Sequence, residues 1–390
     1  MEKVTNAKLL KTSNFKEIED LCEKIINSHN VKLQIPNTLQ ESGIFGLEGA
    51  ALQLFGTWLR KEQNRHVLHT SIQDAGNEDS FTDLCNSLFG LICLRMAEKI
   101  ISVDKKEVDR YLALKPAHKI FNSIREEKFN SAYKGFYLGI PAIKSPTRDG
   151  KDREFDSPLY NQGEVVGAGR FLEIVHKIID FIVPQKSSSS VLNEEIISNI
   201  SEIVRELFTN THRHARTDFR GNSLKSNFRA ISFRSHDVTP ERLSKLIQSG
   251  GGDLAMFLAD WNPKDDHHLR VLDITVVDSG PGYARRWTGL DKDEITIEQE
   301  KEAIVKCFMK NNSTASEDSS GSGLSNVLRD LNMLKGWFRL RTGSILLERS
   351  FFNNKGSTTI EVKDLIEKTS FLEGVVFNIV IPLRKTQGDN

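Results

Sequence analysis

Between Asn193 and Ala215, apolar side chains fall at Ile196, Ile197, Ile200, Ile203, Val204, Leu207 and Phe208, the three-and-four spacing of a helix with one buried face. A helix this long with a single apolar stripe must be packed against a core, and the chain can supply one. It has 390 residues, 38% hydrophobic and 27% charged, which is ordinary for globular protein and enough for two to three domains. That composition excludes whole-chain disorder, collagen-like repeats and a polybasic tail. Lys and Arg total 53 and match 53 Asp and Glu, so nucleic-acid binding would need a local patch rather than an overall field.

Within the helix, Glu206, Asn210 and His214 recur at four-residue intervals and form a polar ridge beside the apolar stripe. On its own such a ridge reads as a solvated face. Further on, Val271 to Val277 alternates and is rich in β-branched residues, reading as a strand that runs into Asp278-Ser279-Gly280-Pro281-Gly282. An acid at the head of that turn can accept a hydrogen bond from an exocyclic amine, and the glycines admit a ligand close to the backbone. A third segment, Ser319-Ser320-Gly321-Ser322-Gly323-Leu324, opens a helix with Leu324, Val327, Leu328 and Leu331 on one side. Free amides at such a start suit a polyphosphate.

In this order, the three segments resemble the GHKL ATPases, whose Bergerat-fold domain is shared by type II topoisomerases, MutL, histidine kinases and anti-sigma-factor serine kinases. Glu206 to Ala215 looks like the N box, Asp278 to Gly282 like the G1 box and Gly321 to Leu324 like the G2 box. Trp337 to Thr342, Ser344 to Ser350 and Val375 to Pro382 look like the closing strands. The resemblance implies an α/β protein: a C-terminal Bergerat-fold α/β sandwich at 161–390, with a mixed sheet covered by helices, preceded by a smaller α/β domain at 1–160.

Carried over residue by residue, the resemblance gives Asn210 to the Mg²⁺ that bridges the ATP phosphates and Asp278 to the adenine amine. Gly280 and Gly282 would shape the pocket floor, and Gly321, Ser322, Gly323 and Leu324 would lie at the phosphates, with His214 at the same site. Residues from about Tyr283 to Ser320, including Ser313 and Thr314, would form the ATP lid. Glu206 occupies the place of the general base in the hydrolytic branches. The implied activity is Mg²⁺-dependent ATP hydrolysis acting as a conformational switch on a protein partner, with a homodimer by analogy. A serine/threonine kinase and a non-hydrolysing ATP-gated module are the alternatives. No phosphoacceptor segment is evident, since His176 lacks the usual following acid, and a phosphate-sensing lysine would have to be Lys306, Lys310 or one from another subunit.

Elsewhere the sequence is less informative. Phe15 to Ser28 and Phe45 to Arg60 read as helices, Val31 to Ile35 and His66 to Ile72 as strands, with helical segments from Phe81 through Glu127 and another helix from Gly167 to Ile182. Gly43, Gly46 and Gly49 have the wrong spacing for a phosphate loop and read as close helix packing. The polar stretch Ser145 to Gly163 reads as a linker and sets the boundary at 160. The long segment Thr217 to Leu269 is expected to hold a hairpin, with Phe228 to Phe233 as one strand, and a helix near Glu241 to Gln248. A basic stretch that leads into it, Arg213, Arg216, Arg220, Lys225, Arg229 and Arg234, could hold phosphates, including those of nucleic acid, but reads rather as a solvated loop and hairpin. Cys22, Cys85, Cys93 and Cys307 form no CxxC pair and read as reduced, mostly buried thiols. Neither His66 with His69 nor His267 with His268 makes a convincing metal site. The N-terminus has no apolar signal region and the run Leu88 to Leu94 is too short for a membrane span, so a cytosolic protein is expected.

Overall fold

The computed structural model describes residues 4–39, 45–61, 67–146, 152–155, 157–183, 192–241, 244, 252–261, 269–309, 323–352 and 357–383. The chain is mixed α/β and contains two principal sheets. The first is parallel, with strands β1 (Thr5–Lys8), β2 (Val31–Ile35), β3 (Val67–Thr70) and β4 (Lys99–Ile101) in that spatial order. Helices α1 (Phe15–Ile26), α2 (Leu47–Leu59) and α3 (Leu88–Met96) lie on its crossovers, followed by α4 (Arg110–Arg125). Asn14 and Glu17 make a capping box that starts α1.

The second sheet has six strands: β5 (Tyr137–Pro146), β6 (Asp152–Phe155), β7 (Asn227–Val238), β8 (Leu269–Asp278), β9 (Trp337–Ser350) and β10 (Ile366–Pro382), in the order β9-β10-β8-β7-β5-β6. Every described pairing in it is antiparallel, where a mixed sheet was expected. The connection between β7 and β8 shows why. Val238 ends β7 opposite Leu269, the first residue of β8, so the intervening α7 (Gly252–Asp260) returns the chain at the same end of the sheet instead of crossing over. The expected hairpin within 217–269 is replaced by this arrangement, with β7 paired to both β8 and β5. Most of the helix expected at 241–248 lies outside the described residues.

One face of the six-stranded sheet carries α5 (Ala168–Ile182), α6 (Glu194–His214) and, packed on α6, α10 (Gly323–Met333). The other carries α1, α2 and α3. With both faces covered, nine of the ten residues of β8 are buried.

Helix α2 lies between the two sheets. All its residues except Ala50 are buried, and apart from Glu48, Gln53 and Thr57 they are apolar or glycine. Towards the six-stranded sheet, a Cβ at Gly46 would lie 2.5 Å from Asn378 Cγ and one at Gly49 2.6 Å from Thr275 Cγ2, so these glycines serve close packing as their spacing suggests. Gly43 lies outside the described residues. On the opposite side, Trp58 Nε1 donates to Val31 O of β2 at 3.0 Å.

The stretch expected as a linker also differs. Residues 137–146 and 152–155 are strands of the six-stranded sheet, so the chain changes sheets near residue 133, ahead of the boundary expected at 160. Residues 137–143 are all buried, as fits a strand bonded on both sides within a sheet covered on both faces. Three of the four cysteines are buried, Cys307 is half-buried, and all are free. Among the described residues no helix is long and apolar enough to cross a membrane.

Candidate functional site

Asn193 caps α6 by accepting the Ile196 amide at 2.9 Å, and the helix then runs to His214 with Ile197, Ile200, Ile203, Val204, Leu207 and Phe208 buried. That stripe fixes the rotation of the helix and leaves Glu206, Asn210 and His214 along one half-buried ridge. Both other segments meet this helix or its end. A Cβ at Gly323, the first described residue of α10, would lie 2.6 Å from Glu206 Cδ and closer still to Oε1. A Cβ at Gly280 would lie 2.6 Å from Cα of Ala215, at the end of α6. Leu324, next to Gly323, is buried in the core. Gly321 and Ser322 lie outside the described residues.

Asp278 ends β8 with Val375 and Arg229 as its neighbours on the flanking strands. Its Oδ1 accepts the Gly280 amide at 2.8 Å. Burial pushes the carboxyl up to about 7, against the lowering effect of the Gly280 and Val375 amides and of the Arg229 and Arg60 guanidinium groups. The phenol of Tyr283 is raised by burial and by the nearby Cys307, Asp278 and Glu206, so the acids of two motifs act on one side chain. Burial, Arg286 and Arg213 push His214 down to about 4, so its imidazole is neutral near pH 7; its Nδ1 is buried and finds no hydrogen-bond partner among the described residues.

The two turn glycines, expected to shape the pocket floor, are each closely packed on one side. Ala215 occupies the space beside Gly280, and a Cβ at Gly282, where φ is 81°, would lie 2.9 Å from Thr342 Oγ1. They let the turn pack against α6 and β9 without side chains in the way.

The expected lid is partly a packed element. Residues 283–288 form α8 (Tyr283–Thr288) and 297–308 form α9 (Ile297–Phe308), whose Ala303, Ile304 and Phe308 are buried. Thr296 and Gln299 cap α9 reciprocally. Ser313, Thr314 and Lys310 lie outside the described residues. Lys306 is on the exposed side of α9, 3.8 Å from Glu302, and His176 Nε2 lies 3.0 Å from Glu194.

The basic stretch does not form one solvated face. Arg213, Arg220 and Lys225 are exposed, but Arg229 is buried with its guanidinium 5.4 Å from the Tyr160 ring centroid, while Arg234 stacks 4.4 Å from that of Tyr137. Alternation along β7 sends Arg229 towards α6 and Arg234 towards the α2 side.

Several residues around Asp278 had not been anticipated. Gly374, at φ 76°, donates its amide to Gly280 O at 2.7 Å and lies directly under the Asp278 carbonyl. A glycine inside a strand is a readable sign of close backbone approach. Thr342 Oγ1 donates to Gly374 O at 3.2 Å and accepts the Tyr283 amide at 3.3 Å. Arg60 reaches the same turn from 219 positions away, a contact no local pattern announces. No family model, no curated protein and no solved structure matches the chain, so the grouping of these residues in space is what bears on its function.

Proposed function

We propose that this chain is a GHKL-type, Mg²⁺-dependent ATPase. The observation that carries the reading is the close approach of Glu206 to Gly323 on the same helix whose end packs against the Asp278 turn. Residues chosen from three separate stretches as base, phosphate contact and adenine contact therefore line one side of the sheet.

The donor set suits Mg²⁺ in a specific way. Among the described residues no group of three or more His, Cys, Asp or Glu could cage a metal ion. One amide oxygen, that of Asn210, is a hard ligand appropriate to an ion that keeps waters and takes its other oxygens from phosphates. When bound, Mg²⁺ would neutralise charge between the phosphates, with Asn210 as its protein ligand.

The remaining chemistry belongs to the chain. Glu206, one helical turn before Asn210, would accept the proton of a water directed at the γ-phosphate. The start of α10 would supply amides to the phosphate oxygens and stabilise developing charge. Asp278 would accept the adenine amine in its ionised form, which burial opposes and the Gly280 amide and the Arg229 charge favour. His214, neutral, can line the pocket without adding a cation. Binding would alter how the chain engages a protein partner, by analogy a second copy of itself.

The test is phosphate release with Mg²⁺-ATP by the native chain, Glu206→Ala and Asn210→Ala, with nucleotide binding measured for all three. The expected pattern is turnover by the native chain, binding without turnover for Glu206→Ala, and lost Mg²⁺-dependent binding for Asn210→Ala. Binding with no phosphate release would shift the reading to a kinase or a gated module, and absence of ATP binding would overturn the GHKL assignment.

A further inference from the structure

The Asp278 turn is held from behind by a residue of the parallel-sheet half. Arg60, just past the end of α2, donates from Nε to Ser279 O at 3.1 Å and from Nη2 to the same oxygen at 2.6 Å. Its Nη1 donates to Ser226 O at 2.9 Å, and Nη2 also reaches Ser279 Oγ at 3.3 Å. The planar fork thus fastens two backbone segments together, the turn after β8 and the approach to β7. These are also joined directly: Phe228 N donates to Ser279 Oγ at 2.9 Å and Ser279 N to Phe228 O at 3.0 Å.

One turn earlier on α2, Thr57 Oγ1 accepts the Glu373 amide at 3.1 Å. Glu373 precedes Gly374, whose amide holds Gly280 O, and its carboxylate takes both 2.9 Å bonds from Arg285 of α8. The end of α2 therefore touches the turn at Ser279 and, at Glu373, the strand β10 that is bonded to it. The guanidinium spends its donors on carbonyl oxygens of the turn and of Ser226, and that geometry fixes peptide orientation more than it binds a side chain.

We propose that Arg60 is a positioning residue of the nucleotide site: by clamping the Ser279 peptide from the α2 side, it sets the direction of the Asp278 carboxyl and the Gly280 amide on the opposite face. This rests on the nucleotide reading of Asp278. A residue that only orients the adenine contact acts equally on the ground and transition states. Its loss weakens binding and leaves the chemical step alone.

Arg60→Met keeps the bulk of the side chain without the fork, and Arg60→Lys keeps the charge without the planar geometry. Full-length native and variant chains are compared for equilibrium ATP binding and steady-state turnover, after thermal melts establish cooperative unfolding. Arg60→Met is expected to raise Kd and KM about tenfold with kcat within about twofold of native, and Arg60→Lys to recover part of the loss. Native Kd in Arg60→Met, or a kcat that falls as far as KM rises, overturns the proposal. Should Arg60→Met not fold, Arg60→Lys decides alone: a raised KM at native kcat supports the clamp, and native KM overturns it. A native chain that binds no ATP overturns the nucleotide reading and the clamp together, whereas native binding with an indifferent Arg60 overturns only the clamp.

Discussion

Replacing Gly323 with alanine sets one methyl group against one carboxylate. The new Cβ would lie 2.6 Å from Glu206 Cδ and 3.0 Å from Cγ. Carbon atoms rest at about 3.5–4.0 Å, so the carboxyl group has to retreat by about 1 Å. The displaced atoms are the far end of a flexible side chain, and an off-rotamer glutamate costs about 0.5–1.5 kcal/mol. Against this, Gly323 is a helical residue of α10, and alanine there restricts the unfolded chain, a gain of about 0.4–1 kcal/mol. The two effects nearly cancel, so stability should change by less than about 1 kcal/mol. If Glu206 is the base of the proposed ATPase, turnover should not be spared, because a catalytic group misplaced by about 1 Å loses on the order of 100-fold. In a Glu206→Ala background the conflict is gone, and Gly323→Ala should stabilise by about 0.4–1 kcal/mol. Chemical denaturation of the four members of this cycle, with phosphate release measured for the native chain and Gly323→Ala, tests both halves. An identical stability effect in both backgrounds, or near-native turnover in Gly323→Ala, would refute the packing argument.

Two further predictions concern the Asp278 turn. Because burial raises its carboxyl from 3.8 to about 7, the folded chain retains a proton that the unfolded chain has already lost between about pH 4 and about pH 7. Stability contributed by this group therefore falls as pH rises through that window. Asp278→Asn, which has nothing to titrate, should gain melting temperature relative to the native chain between about pH 5 and about pH 8, and an equal difference at both values would refute the assignment. Gly374→Ala combines a φ of 76° with a Cβ placed 2.9 Å from the Asp278 carbonyl carbon, and should cost about 3 kcal/mol or more. Gly163→Ala, at φ 82° with nothing within 4 Å, should cost only about 1 kcal/mol, so similar losses at the two sites in denaturant titrations would contradict the steric account.

The sequence exposed what local periodicity and turn chemistry control. The stripe of α6, the strand before Asp278 and the glycines at 46 and 49 could be read because each depends on neighbours within a few positions. Within the stretch expected as a lid, about Tyr283 to Ser320, the helix at 297–308 was not legible because polar composition masked a short apolar set, Ala303, Ile304 and Phe308, sufficient to seat it. The boundary at 160 was misplaced for a different reason. Loop residues between β5 and β6 look the same whether they join domains or two strands of one sheet, and only pairing of 137–146 with β7 distinguishes the cases. Arg229 read as one of several exposed cations, since nothing local says that Tyr160 and α6 cover it. Around Asp278, the acid and its glycines were visible, while Arg60, Thr342 and Gly374 arrive from distant strands and helices.

Helix α2 has a consequence for how such a chain can be inherited. It presents no polar side to water, and the surface it covers on the six-stranded sheet includes Thr275, Val376, Phe228 and Asn378. A recombination breakpoint at residue 160 would send β5 and β6 away with one fragment and leave the other with a bare apolar wall. Neither product would resemble a portable module. Gene shuffling can exchange the loops at the surface of this protein, but its two sheets have to travel together, since each borrows the same helix to complete its interior.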